Sequence, residues 1–168
     1  MIKNNKGDNL DKTGQFLFEW TFQFIKNKDI VARKIVKVEE YINQDYIFVE
    51  YKDKKMVYLV VPSITDFEKK WEELQEAKRK TESTDSCIVL FNSKQNFDKT
   101  LEKWSIIEKD PKLQIVFTNP FSMTDKRWIV IPYTHTRISE PSALKTGLKS
   151  LFDTVEPISE DTLLKMIG

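Results

Sequence analysis

The chain has 168 residues, 40% hydrophobic and 32% charged, and its 27 basic and 26 acidic side chains leave a formal net charge of +1. That length fits one domain with a sizeable core, and the near-balance of charge excludes strong whole-molecule attraction to nucleic acid or anionic lipid, leaving only local patches. One cysteine and one histidine exclude an internal disulfide and a multi-cysteine metal site. No apolar run nears the roughly 20 residues of a membrane span, and the polar start carries no signal-peptide core. The expectation is a cytoplasmic protein without membrane association.

Residues 1–9 read as a loose polar tail and 10–168 as one folded domain. Segment 15–26, QFLFEWTFQFIK, fits two periods. Phe16, Phe18, Trp20, Phe22 and Phe24 alternate as in a strand, yet Leu17, Trp20, Phe24 and Phe18, Phe22, Ile25 also form a broad helical face. Glu19, Gln23 and Lys26 then cluster opposite, which favours a helix packed across a sheet. Segment 29–42, rich in Ile and Val, reads as a long strand. After the turn at Asn43-Gln44, strands are expected over 45–52 and 55–61, joined at Asp53-Lys54. The unbroken apolar run from Tyr58 marks the second of these as buried on both faces.

Thr65-Asp66 precede a helix reaching about Lys80, with Phe67, Trp71 and Leu74 at helical spacing. Cys87 to Phe91 is a short apolar run, expected as a central strand, which makes Cys87 a core residue. A helix is expected over 96–109, strands over 113–118 and 128–132, a helix over 141–152 opened by Pro141, and a short helix near the C-terminus capped by Ser159. Helix, meander, helix and further strands predict an α/β domain with a central mixed β-sheet flanked by helices. The right-handed crossover rule places strand 87–91 parallel to its neighbour.

Asp45, Glu50 and Lys52 form the one compact cluster with chemical character. Two acids can hold a hard cation through oxygen, and a lysine can steady a phosphate. With Asp45 opening a strand and Glu50-Tyr51-Lys52 supplying a Glu-x-Lys triplet, the order helix–meander–helix–strand over residues 12–118 resembles the restriction-endonuclease-like group, named for its PD-(D/E)XK motif. The resemblance implies that Asp45 and Glu50 hold a magnesium ion that activates water, with Lys52 on the scissile phosphate. It also implies a departure. In that family the triplet lies on the strand after the aspartate, where this chain has Val60-Val61-Pro62. Side chains alternate along a strand, so Glu50 and Lys52 share a face and Asp45 points away. The motif therefore reads as degenerate, and the chain as a non-catalytic or vestigial nuclease-like module contacting nucleic acid or a protein partner, needing no cofactor. The alternatives are an active metal-dependent nuclease, or a homo-oligomeric scaffold, such as a homodimer, whose interface is the aromatic segment.

Glu39 and Glu40 offer further acids beside Glu50, although a solvated hairpin rim balanced by Lys37, Lys52, Lys54 and Lys55 explains them as well. Lys126, Arg127, His135, Arg137 and Lys145, with Trp128 and Tyr133 among them, form a candidate nucleic-acid-binding surface. Four scattered glycines exclude phosphate loops of the Walker and dinucleotide types.

Overall fold

The computed structural model describes residues 5–124 and 126–167, with side chains from Lys12 onward. Its elements in chain order are α1 (Asn5–Ala32), β1 (Ile35–Tyr41), β2 (Tyr46–Tyr51), β3 (Lys55–Val60), α2 (Phe67–Thr81), β4 (Asp85–Phe91), α3 (Lys94–Glu102), α4 (Trp104–Ile107), β5 (Leu113–Thr118), β6 (Arg127–Val130), α5 (Pro132–Ile138), α6 (Pro141–Asp153) and α7 (Glu160–Ile167). Six strands form one sheet in the order β1-β2-β3-β4-β5-β6. β1, β2 and β3 are an antiparallel meander, β3, β4 and β5 run parallel, and β6 returns antiparallel. The chain is a single α/β domain with a mixed sheet flanked by helices.

Strand alternation sorts the core into two layers. Val57, Leu59, Ile88, Leu90, Ile115, Phe117, Trp128 and Val130 share a face with Phe67 and Leu74 of α2, Phe97, Trp104 of α4 and Leu148 and Phe152 of α6. On the other face Ile47, Val49, Met56, Tyr58, Cys87, Val89 and Val116 meet Leu17, Phe18 and Ile25 of α1 and Leu163 of α7. β3 and β4 are buried along almost their whole length, as an apolar run covered on both faces must be.

Several boundaries differ from the sequence expectation. Residues 5–9 belong to α1 rather than to a tail, and residues 1–4 lie outside the described residues. The aromatic segment is helix, as its clustered polar residues favoured. Leu17, Thr21 and Ile25, four apart, are its buried line, and Thr21 Oγ1 donates to the Leu17 carbonyl at 2.7 Å. The strand expected over 29–42 begins only at Ile35, because the Asp29 carboxylate accepts from the backbone N–H groups of Lys34 (2.6 Å) and Ile35 (3.2 Å) and fixes the bend there. The helix expected over 96–109 starts at Lys94, capped by Ser93, whose Oγ accepts from Asn96 N–H at 3.2 Å. It breaks at Lys103 into α3 and α4. Finally, β6 ends at Val130, and α5 replaces the end of that strand and the loop after it, with Pro132 at its first turn.

Candidate functional site

The turn before β2 is tight. Ile42–Gln44 is a single 3-10 turn that ends at Asp45, whose φ of 60° is left-handed, a conformation aspartate tolerates better than most residues. Asp45 therefore precedes the strand instead of opening it. The Asp45 carbonyl accepts from Val60 N–H at 2.7 Å, so the end of β3 lies directly beside it. Asp45 lines a cleft of about 550 Å³ with Gly14, Gln15 and Phe18 of α1, Ile42, Asn43 and Pro62. The other described residues of this cleft include no acid and no lysine, but on its other side Asp45 borders a second cleft of about 200 Å³ with Glu73, Glu76 and Lys80 of α2. The neighbouring segment is Val60-Val61-Pro62, of which Val60 and Val61 are buried and offer no ionisable atom.

Glu50 and Lys52 lie at the far end of β2. Five steps of about 3.3 Å put Glu50 roughly 16 Å from Asp45 along the backbone. Ligand oxygens sit about 2.1 Å from a magnesium ion, and an aspartate and a glutamate cannot close the remaining gap. The expected trio does not converge, and its residues do not fit a shared magnesium site. Glu50 faces Lys37 on β1 and Lys55 on β3, a cross-strand arrangement of opposite charges. Lys52 is exposed, its backbone N–H donating to the Lys34 carbonyl at 2.9 Å. Glu39 accepts from Tyr41 Oη at 2.6 Å and pairs with Lys37. These contacts hold its carboxyl below the usual range, the Lys37 hydrogen bond contributing most. Glu40, one position on, faces the opposite side of the sheet. Among the described residues no three His, Cys, Asp or Glu side chains are grouped to hold a metal ion.

The basic residues are divided by the sheet. Arg127 projects from β6 on the side of α1, its guanidinium carbon 4.0 Å from the Phe24 ring centroid. His135 and Arg137 ride on α5, and Lys145 on α6, on the other side. His135 Nδ1 lies 3.0 Å from the Ile131 carbonyl oxygen. Arg137 donates to Tyr133 Oη at 3.0 Å and lies over its ring. α5 is tied to α4 by Trp104 Nε1, which donates to Thr136 Oγ1 at 2.9 Å. Trp128, expected as a stacking residue, is buried. Its ring stacks on Phe117 with centroids 4.0 Å apart, and its N–H donates to Asn92 Oδ1 at 2.7 Å. Lys126 is exposed immediately before β6. The five basic residues therefore do not make one surface.

Two features went unrecognised in the sequence. Tyr51 and Tyr58 share a hydroxyl–hydroxyl hydrogen bond of 2.6 Å at a cleft of about 250 Å³ also lined by Lys28, Lys34 and Lys54. Burial pushes both phenols up and pushes the Cys87 thiol up to about 12, which makes Cys87 the inert core residue expected. The second is a stripe on α1, Phe16, Trp20, Phe24 and Lys28, at strict four-residue spacing. Trp20 and Phe24 were already on the helical face read from the sequence, and Phe16 and Lys28 extend it at the same spacing. No family model, curated protein or solved structure matches this chain.

Proposed function

We propose that the chain is a non-catalytic module of restriction-endonuclease-like character that contacts nucleic acid. The observation that carries this reading is the cleft at Asp45. Its neighbour in space is Val60-Val61-Pro62, where the resemblance places the acid and lysine of the triplet, while Glu50 and Lys52 stand roughly 16 Å away at the other end of β2. With Glu50 and Lys52 that far from Asp45, the expected trio cannot assemble the two-acid arrangement that activates water and steadies a phosphate. The order of helix, antiparallel meander, helix and parallel strand supports the likeness, and the exposed cations and aromatic rings at the β6 edge support contact with nucleic acid.

The test is direct. Supercoiled DNA and single-stranded RNA incubated with the purified protein and magnesium or manganese are expected to stay intact, while a labelled oligonucleotide gains anisotropy at low salt. Metal-dependent cleavage that Asp45→Ala or Glu50→Ala abolishes would overturn the non-catalytic reading. Absence of any oligonucleotide binding, with a stable dimer by light scattering, would replace it with the scaffold.

A further inference from the structure

Six side chains of α1 and β6 surround a cleft of about 420 Å³: Trp20, Gln23, Phe24, Asn27, Lys28 and Arg127. That volume lies within the range of small-molecule sites. Trp20 and Phe24 are one helical turn apart, half-buried, and stacked with centroids 5.5 Å apart and planes 5° apart. Arg127 covers the Phe24 ring from the neighbouring strand, and Lys28 Nζ lies 5.9 Å from the same ring. Gln23 and Asn27 alternate with the rings on the exposed side of the helix. Among the described residues no hydrogen bond within the protein engages either amide. None of the described lining residues is acidic.

We propose that this cleft binds an unpaired nucleobase with its adjoining phosphate, as one position of a single-stranded nucleic acid. It rests on the nucleic-acid reading above and gives that reading a location. Each component of the ligand has a matching group. Flat aromatic faces and a guanidinium plane stack on an unstacked base. A carboxamide donates and accepts together, so Gln23 and Asn27 can pair with a base edge. Lys28 and Arg127 supply charge-assisted contacts to a phosphate oxygen. Duplex nucleic acid is a poorer fit, because its bases are already stacked and their faces are closed to the rings. A protein partner would suit Trp20, Phe24 and Arg127, but it would leave Lys28, of a type depleted at interface cores, and two amides needing polar partners. The platform is rigid: Leu17, Phe18 and Ile25 on the opposite side of α1 are buried against the sheet.

Short fluorescein-labelled oligothymidylate and oligouridylate, with a duplex of the same length, are titrated against the native protein and four variants at low salt. Both single strands are expected to bind more tightly than the duplex and to quench tryptophan fluorescence in the native protein more than in Trp20→Leu. Arg127→Glu and Trp20→Leu are each expected to weaken binding about tenfold or more, Gln23→Ala less, as stacking and charge contacts of this kind predict. Lys145→Glu, on the far side of the sheet, is expected to change affinity less than about twofold. Arg127 is exposed, so Arg127→Glu reports on binding even if Trp20→Leu lowers stability. Wild-type binding that Arg127→Glu and Trp20→Leu leave unchanged would overturn the cleft and leave the nucleic-acid reading standing. No binding of any strand would overturn both. Binding lost in Lys145→Glu alone, or stronger for duplex, would also overturn the cleft.

Discussion

Asn92 is a fully buried polar side chain at the end of β4, with three separate obligations. Its amide donates to the Val155 carbonyl at 2.9 Å and lies 3.5 Å from that of Phe152, and its Oδ1 accepts from Trp128 Nε1 at 2.7 Å. Its side chain thereby joins the end of β4 to β6 and to the segment after α6. Asn96 does the same work nearby. Its amide donates to the carbonyls of Pro62 and Phe91, and its Oδ1 accepts from Ile64 N–H. Truncating Asn92 to alanine leaves the buried indole N–H and a buried carbonyl without partners. Each orphaned group costs about 1–3 kcal/mol, so Asn92→Ala is expected to lose about 3 kcal/mol in urea unfolding. A loss under about 1 kcal/mol would show that the network contributes little. Neither asparagine was legible in the sequence, because their partners are up to 63 positions away and nothing local marks them. The letters of the Asp45–Glu50–Lys52 group were plain, but its meaning depended on distance. The left-handed turn at Asp45 and the straight run of β2 keep the acids apart.

Elements were legible where one period dominated. β5 runs over 113–118 as expected, and α6 over Pro141–Asp153, because Leu144, Leu148, Leu151 and Phe152 allow no other reading than a helix with a single buried side. Elements failed where the local signal was divided. Ile30 and Val31 favour a strand by propensity, yet they end α1 with 67% and 92% of their surfaces exposed. The fixed position of Asp29, capping the start of β1, overrides propensity there. α5 was missed because its seven residues carry no apolar stripe, and its place is set by Trp104 reaching Thr136. Helix propensity can still be tested in isolation at Gly147. It lies inside α6, and a Cβ built there meets nothing within 4 Å. Gly147→Ala is expected to stabilise the protein by roughly 0.5–1 kcal/mol, mostly by restricting the unfolded chain. Thermal unfolding checks it, and an unchanged or lower midpoint would overturn the propensity argument at this position.

At the scale of the whole molecule, the sheet keeps the cations from adding together. Arg127 and Lys28 lie on the α1 side, while His135, Arg137 and Lys145 lie behind the opposite layer, and the net charge is only +1. No long-range field gathers a polyanion onto such a surface, so the proposed single-strand binding would draw on stacking with two or three phosphate contacts, from Lys28, Arg127 and at most Lys126. Counterion release for single strands scales at about 0.7 per neutralised phosphate. A slope of about −1.4 to −2.1 in log affinity against log salt follows. Raising salt from about 50 to about 200 mM should therefore weaken oligothymidylate binding only roughly 7- to 20-fold, whereas a protein reading six or more phosphates loses about a thousandfold or more over the same range. Repeating the anisotropy titration at four salt concentrations gives the slope. A value steeper than about −4 would mean that the strand also crosses the α5–α6 side, and the sheet would then have to be encircled rather than approached from one face.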